Sequence, residues 1–327
     1  DGKPARGGTF VYREDRANSW AVDRGVWLHG YWCHDWSDEC LRVAAVDTEK
    51  REITLAAPHG YGIGPSSSWN REPRRYCAFN ILEELDAPGE WYLDRDHATL
   101  YFWPPKAIGD AEMLLSTLDQ PMIVLDGCEY VTVRGLRLEA SCGEGLVVRG
   151  GRQNLVAGCT VTNLGATAIA ISGGIQNGVT SCDLSSLARS GITVSGGDRK
   201  SLTAADNYAT NNHIHHFGRL QRTYAAGIHL SGVGNRVANN LIHDAPHSAI
   251  LYGGNEHVLE LNEIHHVAQE TSDVGAFYTG RDWTTQGNLL RWNYIHDLGA
   301  MGAVGTMGIY LDDCDSGDSL VGNVFYR

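Results

Sequence analysis

The sequence predicts an all-β protein in which a small antiparallel β-sandwich domain precedes a right-handed parallel β-helix. The 327 residues include 39 glycines without the triplet period of collagen, which suits an all-β chain with many turns. Apolar and polar residues alternate over short stretches, and the repeated part has no helical period over about 10 residues. Two short motifs recur in phase from residue 136 onward, as is typical of stacked repeats.

The first 110 residues differ in composition from the rest of the chain and contain most of its tryptophans and prolines. Short alternating stretches, such as residues 51–55 and 89–94, are separated by Pro-Gly turns and by turns that contain aspartate. Such a pattern predicts antiparallel strands. We therefore predict an antiparallel β-sandwich-like domain over residues 1–110 and the parallel β-helix over residues 111–327.

Two motifs define the repeat. The first recurs every 22 to 31 residues and has an apolar residue at its third position. Its copies begin at Leu136, Cys159, Cys182, Asn212, Asn240, Asn262, Asn293 and Asn323. The second opens a short alternating apolar stretch, and its copies begin at Gly145, Ala168, Gly191, Gly227, Ala249, Gly275 and Gly308. Three short strands per coil then favour a parallel β-helix over leucine-rich or all-helical solenoids.

The asparagines of the first motif are predicted to form one row inside the helix, because each lies two residues before an inward apolar residue. A lone buried amide would be costly, but amides stacked about 4.8 Å apart hydrogen-bond one another along the row. Cys159 and Cys182 occupy the same row in earlier coils, where we expect buried thiols, with a disulfide as the alternative. The predicted row comprises Asn212, Asn240, Asn262, Asn293 and Asn323.

Composition limits the class of partner. The formal net charge of -13 argues against nucleic acids and anionic membranes, which favour basic surfaces, and it suits a neutral sugar polymer. No segment approaches the roughly 20 apolar residues that span a bilayer. The eight cysteines include no CxxC pair, so we expect no structural zinc, resident metal or cofactor. The oligomeric state and the redox state of the cysteines do not follow from the sequence.

Several stretches resemble a known family of enzymes. Residues 27–32, 80–94 and 99–105 resemble a β-sandwich that is inserted near the start of certain β-helix glycosidases. Residues 273–283 and 308–313 resemble the active-site coils of the same group. The likeness spans essentially the whole chain and is greatest to glycoside hydrolase family 141, of which family 120 is a relative.

The resemblance implies a secreted or periplasmic glycoside hydrolase that acts on a plant or microbial polysaccharide or oligosaccharide, with fucosides and xylosides among the expected substrates. Members of this group usually open with a short β-helical stretch and continue with further coils. The chain therefore resembles a piece that lacks terminal coils. Because a solenoid needs capped ends, we expect the last coil, around Phe325, to expose an apolar edge.

Alternation along the strands suggests a catalytic pair. Glycoside hydrolysis needs two carboxyl groups, one to protonate the leaving oxygen and one to act as nucleophile or base. The resemblance maps them onto Asp273 and Asp312, with Asp313 as the alternative second member. The alternation predicts inward side chains for Val274, Ala276, Tyr278, Ile309 and Leu311. It predicts that the outer face of the first sheet carries Asp273, Phe277, Tyr310 and Asp312.

The predicted register raises an objection to this pair. If Gly275 pairs with Gly308, Asp273 lies beside a residue that is six positions before Asp312 in the neighbouring strand. In a regular strand this offset corresponds to about 20 Å, whereas two catalytic carboxyls must lie about 5–10 Å apart. A bulge or folded loop would close the gap; otherwise Asp282 is the better partner. Crowded carboxylates raise one another's proton affinity, so one of Asp273, Asp282, Asp312 and Asp313 is expected to have a raised pKa.

A simpler interpretation of the same acids is structural: Arg281 and Asp282 would form a turn with a local ion pair, and residues 312–313 another polar turn. Long loops at residues 265–275 and 296–308 flank these strands and favour a functional site. The side chains predicted to contact substrate are His229, His247, His265, Phe277, Arg281, Trp283, His296 and Tyr310.

Four histidines, His215, His243, His265 and His296, follow the inward isoleucine of successive coils. Neighbouring rungs lie about 4.8 Å apart, so the four cannot converge on one metal ion. We interpret them as stacked turn residues, with substrate contact by His265 and His296 as the alternative.

Two other functions compete with hydrolysis. A β-helix polysaccharide lyase would want lysine or arginine near the acidic groups, often with calcium, and the candidate strands offer Arg281 but no lysine. A glycan-binding stalk or adhesin would leave the four aspartates inert.

Overall fold

A computed structural model describes residues 8–64, 74–109, 111–302 and 304–327. Regular structure in these residues is β-strand apart from three short 3-10 helices, which confirms the all-β prediction. No helix in this part of the chain is long and apolar enough to cross a membrane. Internal contacts divide the chain into two units, residues 1–113 and 114–327. That they act as separate domains stays a prediction.

The first unit contains a five-stranded antiparallel sheet, as the alternating stretches predict. In spatial order its strands are Thr9–Val11, Glu52–Leu55, Asp38–Asp47, Trp27–Tyr31 and Arg75–Phe79. A separate antiparallel hairpin and the 3-10 helices complete the unit: Trp91–Asp94, Thr99–Phe102, Asp15–Ser19, Val22–Arg24 and Leu82–Glu84. Leu28, Trp32 and Ile53 are fully buried in its core, because alternation turns every second residue inward.

The second unit is a parallel β-solenoid of three sheets, each with eight strands, which confirms the predicted parallel β-helix. The first sheet contains Ile123–Asp126, Leu146–Arg149, Ile169–Ser172, Ile192–Gly196, Ile228–Gly232, Ile250–Tyr252, Val274–Gly280 and Thr306–Asp312. The second contains Thr132–Arg134, Leu155–Ala157, Gly178–Thr180, Tyr208–Thr210, Arg236–Ala238, Val258–Glu260, Leu289–Arg291 and Ser319–Val321. The third contains Arg137–Ser141, Thr160–Leu164, Asp183–Leu187, His213–His215, Leu241–His243, Glu263–His265, Tyr294–His296 and Val324–Tyr326.

The predicted interior row of asparagines is confirmed. Along the row from Asn212 to Asn323, the side-chain amide of each asparagine donates a hydrogen bond to Oδ1 of the next asparagine, at 3.0, 3.0, 2.9 and 2.9 Å. Cys182 joins the row through its backbone N–H, which donates to Asn212 Oδ1 at 3.0 Å. Cys159 and Cys182 are buried free thiols, as predicted, and burial raises the pKa of Cys182 to about 11.

A second interior row runs along the start of the second sheet, and sequence reasoning missed it. Its members hydrogen-bond from coil to coil, for example Asn154 Nδ2 to Asn177 Oδ1 at 2.9 Å and Asn288 Nδ2 to Asp318 Oδ1 at 2.9 Å. Each lies just before a strand, so the signal was present in the sequence. The row comprises Asn154, Asn177, Asn207, Asn235, His257, Asn288 and Asp318.

The predicted faces of Phe277 and Tyr278 are wrong. Phe277 pairs with Ile250 and Ile309, so Ala276, not Gly275, aligns with the other copies of the second motif. A shift of one residue exchanges the two faces of a strand. Phe277 is therefore fully buried in the core and cannot contact substrate, whereas Tyr278 turns outward. The exchange is favourable, because it buries the apolar ring and leaves the tyrosine hydroxyl where it finds a partner.

The last coil exposes apolar side chains, as expected. Leu320, Val324 and Phe325 are each about half exposed, at 46%, 55% and 55%. These residues lie in the final strands of the second and third sheets.

Candidate active site

The candidate catalytic pair lies on the last two strands of the first sheet. Asp312 ends the strand Thr306–Asp312, and Asp273 directly precedes the strand Val274–Gly280. Tyr278 pairs with Tyr310 across these strands. Because Phe277 enters the core, its neighbour Tyr278 and the paired Tyr310 project from the outer face. Residue 303, within the predicted loop at 296–308, lies outside the described residues.

Two crossed hydrogen bonds connect these side chains. The Tyr278 hydroxyl donates to Asp312 Oδ2 at 2.9 Å, and the Tyr310 hydroxyl donates to Asp273 Oδ1 at 3.0 Å. The two rings meet edge to face, with centroids 5.6 Å apart. The Asp312 carboxyl also lies close enough to the Tyr310 hydroxyl to raise its pKa. Both carboxyl groups therefore approach one tyrosine hydroxyl.

This arrangement bears on the distance between the two carboxyl groups. Two carboxylates that both lie near one hydroxyl, one of them as its hydrogen-bond acceptor, are expected to have their nearest oxygens within about 7 Å of each other. An upper limit of about 7 Å is compatible with the range of about 5–10 Å used by two-carboxylate glycosidases.

A compression of the chain at Gly275, near the start of the strand Val274–Gly280, brings Asp273 close. Asp273 has a left-handed φ of 61°, which aspartate tolerates better than most residues. A Cβ on Gly275 would lie 2.3 Å from the Phe277 carbonyl oxygen and 2.7 Å from Tyr310 Cβ, so only glycine fits there. The chain is thus folded against Tyr310 instead of extending away from it, as a regular strand would.

Both tyrosines are held as hydrogen-bond donors. Burial raises the pKa of Tyr278 and of Tyr310 above the ordinary value, and the neighbouring Asp312 and Asp273 raise it further. A tyrosine with a raised pKa keeps its proton at neutral pH. These hydroxyls can therefore orient the carboxylates but are poorly suited to act as bases.

The alternative acids Asp282 and Asp313 are held by arginines. Arg199 Nη1 lies 2.7 Å from Asp282 Oδ2, and Arg281 Nε lies 2.8 Å from Asp313 Oδ2. The predicted local ion pair between Arg281 and Asp282 is therefore wrong. Hydrogen bonds from Thr284 and Arg199 lower the pKa of Asp282, which contradicts the expectation that it could be the carboxyl with raised proton affinity.

A carboxyl with a raised pKa lies next to this region but outside the predicted set. The carboxyl oxygens of Asp315 are buried, and this burial raises its pKa, with a further contribution from the charge of Asp318. Neither carboxyl oxygen has a hydrogen-bond partner among the described residues. Only a charge-rich turn at residues 312–318 marked Asp315 in the sequence.

Three of the predicted substrate contacts remain accessible on the outer face. His229 is exposed and belongs to the same outward row as Tyr278, two coils earlier. Arg281 is more than half exposed and interacts electrostatically with Tyr278 and Tyr224. Trp283 is 74% exposed. With Tyr310, these residues stay candidates for substrate binding.

His247 does not fit the predicted role of direct sugar contact, because it is buried. Its Nδ1 lies 3.2 Å from Thr271 Oγ1, and its ring centroid is 5.0 Å from that of Tyr224. The loop before its strand is short and folds the imidazole beneath the surface. The exposed aromatic ring at this place is Tyr224, which sequence reasoning missed.

His265 and His296 lie on the third sheet, not beside the aspartate pair. Their ring centroids are 5.0 Å apart, and His265 stacks on His243 with centroids 4.6 Å apart. This confirms the predicted stack of histidines along one outer edge. Contact of His265 or His296 with substrate stays a prediction.

A family model and one solved structure agree with this fold. The family model described as right handed beta helix region matches residues 120–223. A solved glycoside hydrolase is similar with a TM-score of 0.57 and 14% identity, covering 100% of this chain and 74% of that chain. An alginate lyase from Paenibacillus sp. has a TM-score of 0.28 and 15% identity, covering 63% of this chain and 90% of its own. The tailspike protein gp49 from Pseudomonas phage LKA1 has a TM-score of 0.23 and 11% identity, covering 99% of this chain and 62% of that chain.

Fold and comparisons define the class: a right-handed parallel β-helix protein with an additional antiparallel sheet near its N-terminus. At 14% identity, the likeness to the glycoside hydrolase concerns the fold. No curated protein matches the chain in sequence. The resemblance to glycoside hydrolase family 141 therefore stays a prediction.

Proposed function

We propose that this protein is a glycoside hydrolase with Asp273 and Asp312 as its catalytic carboxyl groups. The observation that carries the proposal is the approach of both carboxyls to the Tyr310 hydroxyl on the outer face of the first sheet. One carboxyl would protonate the leaving oxygen while the other acts as nucleophile or base. We propose a plant or microbial polysaccharide or oligosaccharide as substrate, and a secreted or periplasmic location.

Hydrogen bonding suggests how the two roles are divided. Both oxygens of Asp312 accept hydrogen bonds, Oδ1 from the Asp313 backbone N–H at 2.9 Å and Oδ2 from Tyr278. A carboxylate fixed in this way is oriented for attack or for activating water. Asp273 accepts a hydrogen bond from Tyr310 through Oδ1, which leaves Oδ2 to carry a proton to the leaving group. We assign Asp273 as the acid and Asp312 as the nucleophile or base.

The surroundings offer groups that suit a sugar ring. Trp283 and Tyr224 are exposed aromatic side chains, and apolar ring faces pack against the faces of pyranosides. Arg281 and His229 offer hydrogen bonds to hydroxyl groups. The proposed cleft therefore runs along the outer face of the first sheet, across the coils that carry these four residues.

The test is a screen of the purified chain on aryl glycosides, beginning with fucosides and xylosides, followed by variants. Asp273→Asn and Asp312→Asn should each lower kcat/KM at least ~100-fold, the usual scale for losing acid–base assistance. Asp206→Asn removes an exposed carboxylate elsewhere on the helix and should leave turnover unchanged. If both catalytic variants keep full activity on a substrate that the parent cleaves, the pair is wrong and Asp282 with Asp313 is tested next.

The division of roles has its own test. A substrate with a good leaving group needs little protonation, so Asp273→Asn should lose far less activity on a dinitrophenyl glycoside than on an alkyl glycoside. Asp312→Asn should lose activity on both. Equal losses for the two variants on both substrates would contradict the assignment.

The competing functions give different readouts. A lyase would release unsaturated, ultraviolet-absorbing products from a uronate polymer, and it would need a base near Arg281. The tyrosines at that place have raised pKa values, which counts against proton abstraction by them. A glycan-binding stalk would bind oligosaccharides without turnover, and Asp→Asn changes would leave its affinity nearly unaltered.

A further inference from the structure

A cluster of metal-ligating side chains lies on the outer face of the third sheet, away from the strands that carry the aspartate pair. Asp183 pairs directly with His213 in the next coil, and His215 follows two residues later. Leu184 follows Asp183 and Ile214 lies between the two histidines in the sequence, and both side chains point into the core. Alternation therefore projects Asp183, His213 and His215 from the same face.

The distances match those between ligands of a single ion. His213 Nδ1 lies 3.3 Å from Asp183 Oδ1, and His215 Nε2 lies 3.6 Å from the same oxygen. One ligand atom from each of the three residues lies within 4.8 Å of the others. Ligands held at about 2.0–2.2 Å around a tetrahedral ion lie roughly 3.3–3.6 Å apart, which the two distances to Asp183 Oδ1 match.

The other ring nitrogens have partners that would hold the imidazoles in place. His213 Nε2 lies 2.8 Å from His243 Nε2, and His243 Nδ1 lies 2.7 Å from Asp244 Oδ2. His215 Nδ1 lies 2.7 Å from His216 Nδ1. Histidines that bind metals usually donate their second N–H to a carboxylate, a carbonyl or water, and here the neighbouring imidazoles would accept it, which fixes the tautomer and the direction of the lone pair.

This set differs from the one considered in the sequence. The stacked row His215, His243, His265 and His296 spans four coils and cannot converge on one ion. The structure instead joins His215 to two residues outside that row, Asp183 and His213, which lie within two adjacent coils. Because one ligand is a carboxylate and two are imidazoles, the donors suit zinc-class ions better than calcium or magnesium.

We propose that Asp183, His213 and His215 bind one divalent transition-metal ion of the zinc class, with a fourth position open to solvent. The side chains of Asp183 and His213 are 55% and 41% exposed, so water can reach the ion. Bound there, the ion would cross-link the strands Asp183–Leu187 and His213–His215. It would therefore stabilise the stack of coils by mass action. The proposal is independent of hydrolysis by the aspartate pair.

The experiment uses tag-free, metal-stripped protein and Zn²⁺ as the probe. Titration calorimetry, with metal analysis after dialysis, should give one Zn²⁺ per chain, and Zn²⁺ should raise the midpoint of thermal unfolding. Asp183→Asn and His213→Ala should each weaken binding at least about 10-fold, since even supporting residues of metal sites have effects of this size. His265→Ala is the matched control, because it belongs to the same histidine stack but not to the ligand set.

Two further measurements make the outcome decisive. Co²⁺ in place of Zn²⁺ should give the strong visible absorption of a tetrahedral site, and Asp183→Asn should abolish it. Asp244→Asn removes the carboxylate partner of His243 and should weaken Zn²⁺ binding even if His213→Ala disturbs folding, which circular dichroism checks. The proposal is overturned if the parent chain binds no Zn²⁺, or if His265→Ala weakens binding as much as Asp183→Asn does.

Discussion

Two groups of carboxylates on the outer faces of the β-helix differ in their partners. Glu260 on the second sheet lies between Arg236 and Arg291, with contacts of 2.6 and 2.7 Å, and its side chain is 6% exposed. Asp273 and Asp312 on the first sheet instead accept hydrogen bonds from tyrosines. An arginine neutralises a carboxylate and holds it, whereas a tyrosine hydroxyl orients it without supplying a compensating charge.

The comparison indicates which acids stabilise the fold and which are available for chemistry. Burial alone would raise the pKa of Glu260, but the hydrogen bonds from Arg236 and Arg291 outweigh it and the pKa is lowered. Such a group stays ionised and bound to its partners. A carboxyl that must give or take a proton cannot be fixed in this way. The side chain that neighbours a carboxylate thus decides which of the two purposes the carboxylate suits.

The largest effect is expected from Glu260→Gln. Removing one member of a buried ion network leaves the other charges uncompensated and costs roughly 3–5 kcal/mol. Because Arg236 and Arg291 are partly exposed, we expect a loss of about 2–4 kcal/mol in the free energy of unfolding, measured by denaturant titration. Turnover at a temperature where the variant is folded should be unchanged. A large loss of turnover in fully folded Glu260→Gln would contradict the separation of the two groups.

The converse is expected for the aspartates paired with tyrosines. Asp312→Asn should lower kcat at least ~100-fold, while the midpoint of thermal unfolding changes little, because the side chain lies on the solvent-facing side. Steady-state kinetics and a thermal melt on the same preparation measure both effects. A variant that unfolds early in proportion to its loss of activity would place Asp312 with Glu260 among the structural acids.

A smaller effect is expected for Tyr310→Phe, which removes the hydroxyl shared by the two carboxyl groups. A hydrogen bond to a charged group contributes about 1.5–3 kcal/mol, so kcat should fall roughly 10-fold or more with little change in KM. The fold should persist, since the ring stays in place. Tyr130→Phe is the matched control, because Tyr130 is exposed and lies between the strands Ile123–Asp126 and Thr132–Arg134, outside the proposed cleft.

The sequence predicted the coils better than the site. The row from Asn212 to Asn323 was predictable because each amide has the same phase relative to an inward apolar residue. The second row was missed, since His257 and Asp318 interrupt its run of asparagines and conceal the repeat. Both signals are local in the sequence, so a search that allowed several polar residue types would have found the second row as well.

The site depends on features that are not local. Gly275 resembles the glycine that opens other copies of the second motif, yet it serves a compression of the chain that shifts the register by one residue. That shift decides whether Phe277 or Tyr278 faces the aspartates. The partner of Asp282 is Arg199, 83 residues away, which no pattern within a single coil predicts. Pairings between coils of unequal length therefore required the structure.

The smallest effect is expected for Arg199→Ala, which removes the arginine beside Asp282. Both side chains are partly exposed, at 37% and 42%, so the pair contributes at most about 1 kcal/mol. Hydrogen bonds from Thr284 and from Arg199 lower the pKa of Asp282 in the folded chain. Because the pKa is lower in the folded chain, ionised Asp282 stabilises the fold at pH values above its unfolded-state pKa of about 3.9. This stabilisation is lost as the pH falls through the folded-state pKa.

The difference in melting temperature between the parent chain and Arg199→Ala should therefore be largest near neutral pH and shrink as pH falls below about 4. High salt should reduce it at neutral pH, because exposed ion pairs are screened. Lys200→Ala is the control, as it removes a neighbouring positive charge without touching Asp282. If Arg199→Ala instead lowers kcat as strongly as Asp312→Asn does, Asp282 belongs to the active site. In that case a carboxylate held by an arginine takes part in the chemistry, and the contrast between arginine and tyrosine partners fails.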